Sequence, residues 1–124
     1  MNKILRVAVA LPGILFVSTG LRWLIDPSTA AAPLGMSLLN GLGLSTQIGD
    51  LAAFFLTLGA CILMGLITSN RVWYYPSIML LGIAAMGRVI AWLLHDAALA
   101  TSLILLELAI AALLTFAANR LGKS

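Results

Sequence analysis

Four long apolar segments constrain this chain more than any other feature. They run from about residues 4 to 25, 48 to 69, 76 to 94 and 97 to 118. Each has roughly the 20 residues that an α-helix needs to cross a bilayer. Since 62% of the 124 residues are hydrophobic and 9% are charged, lipid is the solvent for most of the chain. The sequence predicts a single all-α domain of residues 1–124, an integral membrane antiparallel four-helix bundle.

The connection between the first two segments is too apolar for a solvated loop. Residues 27–36 combine alanine, proline, glycine and leucine, and Pro27 cannot continue the preceding helix. Backbone near lipid must satisfy its own hydrogen bonds. We therefore expect a short interfacial helix after Ser28, or a re-entrant segment, with a return through residues 41–44.

The basic residues at the chain ends and in the links between spans predict the orientation. They fall on one side of a four-span arrangement, and they are Lys3, Arg6, Arg71, Arg120 and Lys123. Positively charged flanks stay on the cytoplasmic side, so we expect a multi-pass protein of the bacterial inner membrane with both termini cytoplasmic. The net charge of +3 is spread over single residues and never forms a run, which argues against a nucleic-acid partner.

Five residues inside the spans form a predicted polar core in the outer half of the bundle. Arg22, Asp50, Arg88 and Glu107 are ionisable, and Trp92 lies one helical turn after Arg88. An ionised side chain near the middle of a bilayer costs at least ~2.5–3.5 kcal/mol, so such residues usually face the interior and pair. We expect Phe54 and a methionine, Met86 or Met64, to wall this core.

Arg88 and Glu107 are the predicted ion pair. The link between the two spans that carry them is very short in the sequence and predicts a tight outer turn. Glu107 is expected about 15 Å from the start of the fourth span, deeper than Arg88, and the long arginine side chain would make up part of the difference. Two interpretations stay open: the pair locks the helices together, or it anchors the head of a ligand.

Residue types that carry catalysis, cofactors or metals are scarce. Cys61 has no second thiol, and His95 is the single histidine, at a predicted helix end. No nucleophile triad, phosphate loop or cysteine metal site can be assembled from this sequence, so we predict no catalytic, cofactor or metal residues. A non-enzymatic protein is favoured, although a quinone site needs only a few polar side chains in an apolar cleft, which leaves a redox subunit open.

Short motifs carry a family resemblance. They are Asp26-Pro27, Gly49-Asp50, Gly87-Arg88, Asp96 and Glu107-Leu108. With them the chain resembles the small four-helix bacterial membrane proteins grouped as DoxX-like. The resemblance implies a four-helix bundle without an assigned activity; wider relatives are similar to subunits of quinone-linked redox systems and to sterol-handling proteins. That group often carries a basic residue shortly after the acid of the second span. Here Asp50 is followed by Leu51-Ala52-Ala53, which leaves it to pair with Arg22 or Arg88.

The function predicted from these features is the binding of a hydrophobic or amphipathic small molecule in the polar core. A quinone, a sterol-like compound or a lipid would fit such a site. The alternative is a non-catalytic accessory or structural subunit of a larger membrane complex. The expected partners are the lipid bilayer, such a ligand, and a membrane-protein partner or a second copy of the chain.

Overall fold

The structure, a computed structural model, describes residues 2–122, and Met1, Lys123 and Ser124 lie outside it. Helices account for most of the described range, which contains no strand. In chain order they are α1 (Asn2–Ile25), α2 (Pro27–Ala31), a 3₁₀ turn (Ala32–Leu34), α3 (Gly41–Thr68), a 3₁₀ turn (Arg71–Trp73), α4 (Tyr74–Leu94) and α5 (Thr101–Arg120). Four of them, α1, α3, α5 and α4 together with the 3₁₀ turn before it, are long and apolar enough to cross a membrane. The prediction of an all-helical chain with four spanning-length segments is thereby confirmed.

The connection after α1 differs in part from its prediction. The short helix is present, but it begins at Pro27, which occupies its first turn, where the missing N–H of proline is not needed. The return expected through residues 41–44 is wrong, because these residues form the first turn of α3. Asn40 is extended and its carbonyl accepts the first helical hydrogen bond, from the Leu44 N–H. No proline follows to stop the helix, so it runs without a break to Thr68.

Gln47 holds the remainder of this connection against α3. Its Nε2 donates to the Ser37 carbonyl over 3.1 Å, and its Oε1 accepts from the Leu39 N–H over 2.9 Å. The side chain is buried, with 6% of its surface exposed. One amide thus satisfies both a backbone donor and a backbone acceptor outside the helices. Residues 37–39 are therefore fixed beside the amino end of α3.

The link between α4 and α5 is longer than the sequence suggested. Helix α4 ends at Leu94 as expected, but α5 begins at Thr101 instead of near residue 97. Asp96 has a φ of 57°, in the left-handed region that aspartate tolerates better than most residues and that a helix cannot contain. Residues 95–100 therefore form an irregular connection, not a tight turn.

Helix α1 packs most extensively against α3, and small residues set their separation. A methyl group added at Gly59 of α3 would lie 2.7 Å from the Gly13 carbonyl oxygen and 2.7 Å from the Val17 nitrogen of α1. Near the start of α1, Arg6 Nη2 donates to the Leu66 carbonyl over 2.8 Å. The contacts run in opposite sequence directions along the two helices. Small residues are the usual means by which membrane helices approach this closely.

Helices α4 and α5 form the second closely packed pair, and α4 also contacts α3. Between α3 and α4, the fully buried Ser77 Oγ donates to the Leu58 carbonyl over 2.8 Å. Apolar side chains from the helices close the core around this bond, among them Val9, Leu58, Ile62, Leu81 and Leu114. The two pairs meet less extensively than the helices within each pair, which leaves space between them.

The close approach of α1 and α3 gives the first prediction. Gly59→Ala places its new methyl group against backbone, which cannot move aside, and we expect it to lower the free energy of unfolding by about 1–3 kcal/mol. Gly82→Ala makes the same change within α4, where nothing lies within 4 Å of the added group. This control should be neutral, or stabilising by up to about 1 kcal/mol, because alanine favours helix. Denaturant unfolding in mild detergent, followed by circular dichroism, measures both. Equal destabilisation by the two variants would contradict the packing described here.

Candidate functional site

A cavity of about 690 Å³ lies between the helix pairs. All four long helices line it, and so does the connection that contains α2. Its volume falls within the range of roughly 300–1,000 Å³ that is typical of small-molecule sites. Most of the wall is apolar, and its larger apolar residues are Leu15, Phe16, Leu51, Phe54, Phe55, Leu58, Leu81, Leu103, Leu106 and Ile110.

Arg88 and Glu107 meet at the wall of this cavity and form a bidentate ion pair. The Nε atom of Arg88 donates to Glu107 Oε1 over 2.9 Å, and Nη2 donates to Oε2 over 3.2 Å. The glutamate side chain is 11% exposed and that of the arginine 31%. Two parallel charge-assisted hydrogen bonds make this the strongest and most directional kind of side-chain pair. The predicted pairing of these two residues is confirmed.

The depth expected for Glu107 is wrong, because α5 starts later than predicted. Glu107 lies six residues after Thr101, and Arg88 lies six residues before Leu94. At 1.5 Å per residue, each is about 9 Å from the nearer end of its helix. The two side chains therefore meet at the same depth, and the arginine does not have to stretch to reach its partner.

Arg22 also lines the cavity, from the last turn of α1. Its side chain is exposed, and it makes neither an ion pair nor a side-chain hydrogen bond with any residue between 2 and 122. Across the described part of the chain, Arg88 and Glu107 form the single pair of opposite charges within 4.0 Å. The cavity therefore presents one arginine that has no ion-pair partner within 4.0 Å among residues 2–122.

Asp50 and Trp92 do not join this group. Asp50 is exposed and lines a shallower groove that adjoins the cavity, since Met36 and Leu51 line both. The expected pairing of Asp50 with Arg22 or Arg88 does not occur. Trp92 is 46% exposed and is not part of the cavity wall.

Helix geometry explains why Trp92 turns away. Trp92, four residues after Arg88, is rotated about 40° from it around the helix axis. Ala91, three residues after Arg88, is rotated from it in the opposite direction. The cavity lies on that other side, where Ala91 faces it. Met86 is 60% exposed, and Met64 does not line the cavity either. Of the residues expected to wall the polar core, Phe54 lines the cavity.

Asp26 keeps its charge beside the cavity without entering it. Its Oδ2 accepts from the Thr29 hydroxyl over 2.6 Å, and its Oδ1 accepts from the Ser28 hydroxyl over 3.0 Å. These bonds, the one from Thr29 first, hold the pKa of Asp26 below its ordinary value because they favour the ionised carboxylate. They also tie the first turn of α2 to the end of α1.

The sequence analysis missed the part that α2 and the residues after it play in the site. Thr29, Ala30, Pro33 and Leu34 line the cavity and cover one side of it. The signal was present in the unusual apolar character of this connection, which a solvated loop would not need. Among residues 2–122, no three side chains of the histidine, cysteine, aspartate or glutamate types come together as metal ligands.

No protein-family model, curated protein or solved structure matches this chain. The resemblance to DoxX-like proteins therefore stays a prediction.

The ion pair gives the second prediction. Arg88→Ala leaves the buried Glu107 without a partner and should destabilise the protein by about 3 kcal/mol, the lower end of the range for broken buried pairs. Glu107→Ala should cost less, because the guanidinium that remains is nearly one-third exposed and can turn toward water or headgroups.

A double-mutant cycle of unfolding free energies in detergent measures the coupling between the two residues. We expect Arg88→Ala/Glu107→Ala to be milder than the sum of the single variants, with a coupling energy of about 0.5–3 kcal/mol. Strictly additive losses would show that the pair is not formed in the folded protein.

Proposed function

We propose that this chain is a multi-pass protein of the bacterial inner membrane that binds a hydrophobic or amphipathic small molecule in the cavity between its helix pairs. The carrying observation is the cavity itself: an apolar space lined by all four long helices, with Arg22, Arg88 and Glu107 at its wall. A quinone, a sterol-like compound or a lipid has the matching combination of an apolar body and a polar head. Membership of the DoxX-like group is part of this proposal, and an all-helical chain of four long segments is compatible with it.

In the membrane the four long helices are proposed to form an antiparallel bundle with both termini cytoplasmic. The opposed contact order along α1 and α3 supports this arrangement. Basic residues also gather at one end of the molecule, since Arg6 bonds to the Leu66 carbonyl and Arg71 packs against Gly122. That end would face the cytoplasm. The cavity, with Arg22 at the opposite end of α1, would then lie in the outer half of the bilayer.

The size of the cavity favours a ligand over a purely structural role for the ion pair. Protein interiors are close-packed, and voids much larger than a water molecule are few and destabilising. A lock between α4 and α5 requires the two charged side chains but no space beside them. An occupant drawn from the surrounding lipid would restore the missing contacts, and its polar head would meet the charged groups at the wall.

The third prediction compares what co-purifies with the wild type and with Arg88→Met/Glu107→Leu. This double variant replaces the pair with apolar side chains of similar volume, so the fold should persist, as it does for many buried pairs exchanged in this way. A bound ligand should be reduced several-fold, because its head loses the Arg88 N–H groups that Glu107 does not engage, although Arg22 remains at the wall. Mass spectrometry of lipid extracts from protein purified in mild detergent measures the occupancy. Arg120→Met, an arginine removed at the far end of α5, is the control and should keep the wild-type extract.

A wild-type extract without a ligand would contradict the ligand proposal, and identical ligand at identical occupancy in the double variant would show that the pair does not hold the head. The pair would then be structural, and a stable partner protein in the wild-type preparation would favour an accessory subunit. Circular dichroism of each variant shows that the comparison is made between folded proteins.

A further inference from the structure

The charges at the cavity do not cancel, and this imbalance specifies the ligand that the proposed function requires. Three titratable side chains line the cavity: Arg22, Arg88 and Glu107. Arg88 is engaged by Glu107 through two hydrogen bonds, so that pair is neutral as a unit. Arg22 has no such partner among residues 2–122. The wall therefore carries one net positive charge in a mostly apolar setting.

Neighbouring acids do not supply the missing partner. Asp26 follows on the next turn, where its N–H donates to the Arg22 carbonyl, but both of its carboxylate oxygens accept from Ser28 and Thr29. Its carboxylate is not within 4.0 Å of the Arg22 guanidinium, and Asp26 does not line the cavity. Asp50 lines the adjoining groove beside α3. Asp26 acts on Arg22 through space without a direct contact, so among residues 2–122 the Arg22 N–H groups remain free to bind a group in the cavity.

The other polar groups of the wall point to the same conclusion. The Thr19 hydroxyl donates its hydrogen to the Leu15 carbonyl over 2.9 Å, and Thr29 donates to Asp26. Both hydrogens are used, so the threonines offer a ligand only their acceptor lone pairs. The donors left for a ligand head are the guanidinium N–H groups, above all those of Arg22. A head made of acceptor oxygens fits them, and a planar guanidinium matches a carboxylate or a phosphate with two parallel bonds.

We infer that the cavity takes an amphiphile with one negatively charged head, a carboxylate or a phosphate, on a hydrocarbon body. The head lies at the Arg22 guanidinium, and the body lies between the helix pairs along Phe16, Phe54 and Leu81. Arg22 is exposed in the last turn of α1, and an anionic head pairs with its charge through two parallel hydrogen bonds where a neutral head would not. This inference rests on the proposed function and adds the charge of the ligand to it.

The experiment titrates delipidated full-length protein in neutral detergent and counts bound molecules by native mass spectrometry. The probes are oleate, oleyl alcohol, which has the same chain without the charge, and dioleoyl phosphatidylglycerol, a two-chain anionic lipid of the bilayer. We expect one oleate per protein, and at least about tenfold weaker binding of oleyl alcohol, since a hydrogen bond to a charged group contributes more than one to a neutral group.

The variants isolate the role of Arg22. Arg22→Gln should weaken oleate binding by about tenfold or more and leave oleyl alcohol unchanged. Arg22→Lys keeps the positive charge but lacks the planar set of N–H donors of a guanidinium. Its affinity for oleate should therefore lie between those of the wild type and Arg22→Gln. Arg120→Gln removes an arginine from the opposite end of the molecule and should change neither probe. Because Arg22 is exposed and has no side-chain partner among residues 2–122, these variants are expected to fold.

The outcomes separate the inference from the function it rests on. Equal affinity for oleate and oleyl alcohol, or oleate binding that is unaffected by Arg22→Gln, would contradict the inference that the ligand is negatively charged. The proposal of an apolar ligand site would still stand. Binding that depends on Arg22 but is confined to phosphatidylglycerol would place the anion at the headgroup layer, outside the cavity, and would overturn the inference. If no probe bound and wild-type extracts held no ligand, the proposed function itself would fail.

Discussion

Arg88 and Glu107 form an ion pair about 9 Å from the nearer ends of their helices, whose other residues are almost all apolar. The arrangement of the residues around them depends on this pair. In a medium of low polarity neither charge can be left alone, so each fixes the position of the other. Their two parallel hydrogen bonds set α4 and α5 at one depth and one rotation. Both carboxylate oxygens of Glu107 accept hydrogen bonds from Arg88. Arg22 is therefore the cation at the same cavity that remains available to a ligand.

The rest of the fold is held by contacts of a different kind. Helix α1 approaches α3 at glycines, where backbone meets backbone, and α3 meets α4 through the Ser77 hydroxyl on the Leu58 carbonyl. These contacts lie away from the ion pair. Each helix pair is thus consolidated on its own, and the space between the pairs is closed by α2 and the residues that follow it. A site assembled in this way can admit a chain-like molecule without breaking either pair.

Much of this could be predicted from the sequence, and the failures have physical causes. Spanning length and apolar composition were sufficient to predict four helices. The cost of isolated charges in lipid, together with the adjacency of the third and fourth spans, predicted the pairing of Arg88 with Glu107, although the link between these spans is longer than expected. The start of α5 was not predictable, because it depends on a left-handed backbone at Asp96 that no pattern signals.

The predictions of site residues were wrong where helical spacing was applied too coarsely or where a contact is not local. Trp92 shares a face with Arg88 only approximately, and the cavity lies on the side of Ala91. Asp50 was grouped with the arginines on charge alone. The Gln47 amide bonds to Ser37 and Leu39 across a loop whose path is set by tertiary packing, so no spacing rule indicates it.

The central claim is that the cavity between the helix pairs holds a ligand, and a crystal structure of the full chain grown from a lipidic mesophase tests it most directly. The account predicts elongated density between the α1–α3 and α4–α5 pairs, with one end within hydrogen-bonding distance of the Arg22 guanidinium and the Arg88–Glu107 pair intact beside it. A cavity closed by the side chains of α4 and α5, with the ion pair formed and no density between the helix pairs, would contradict it.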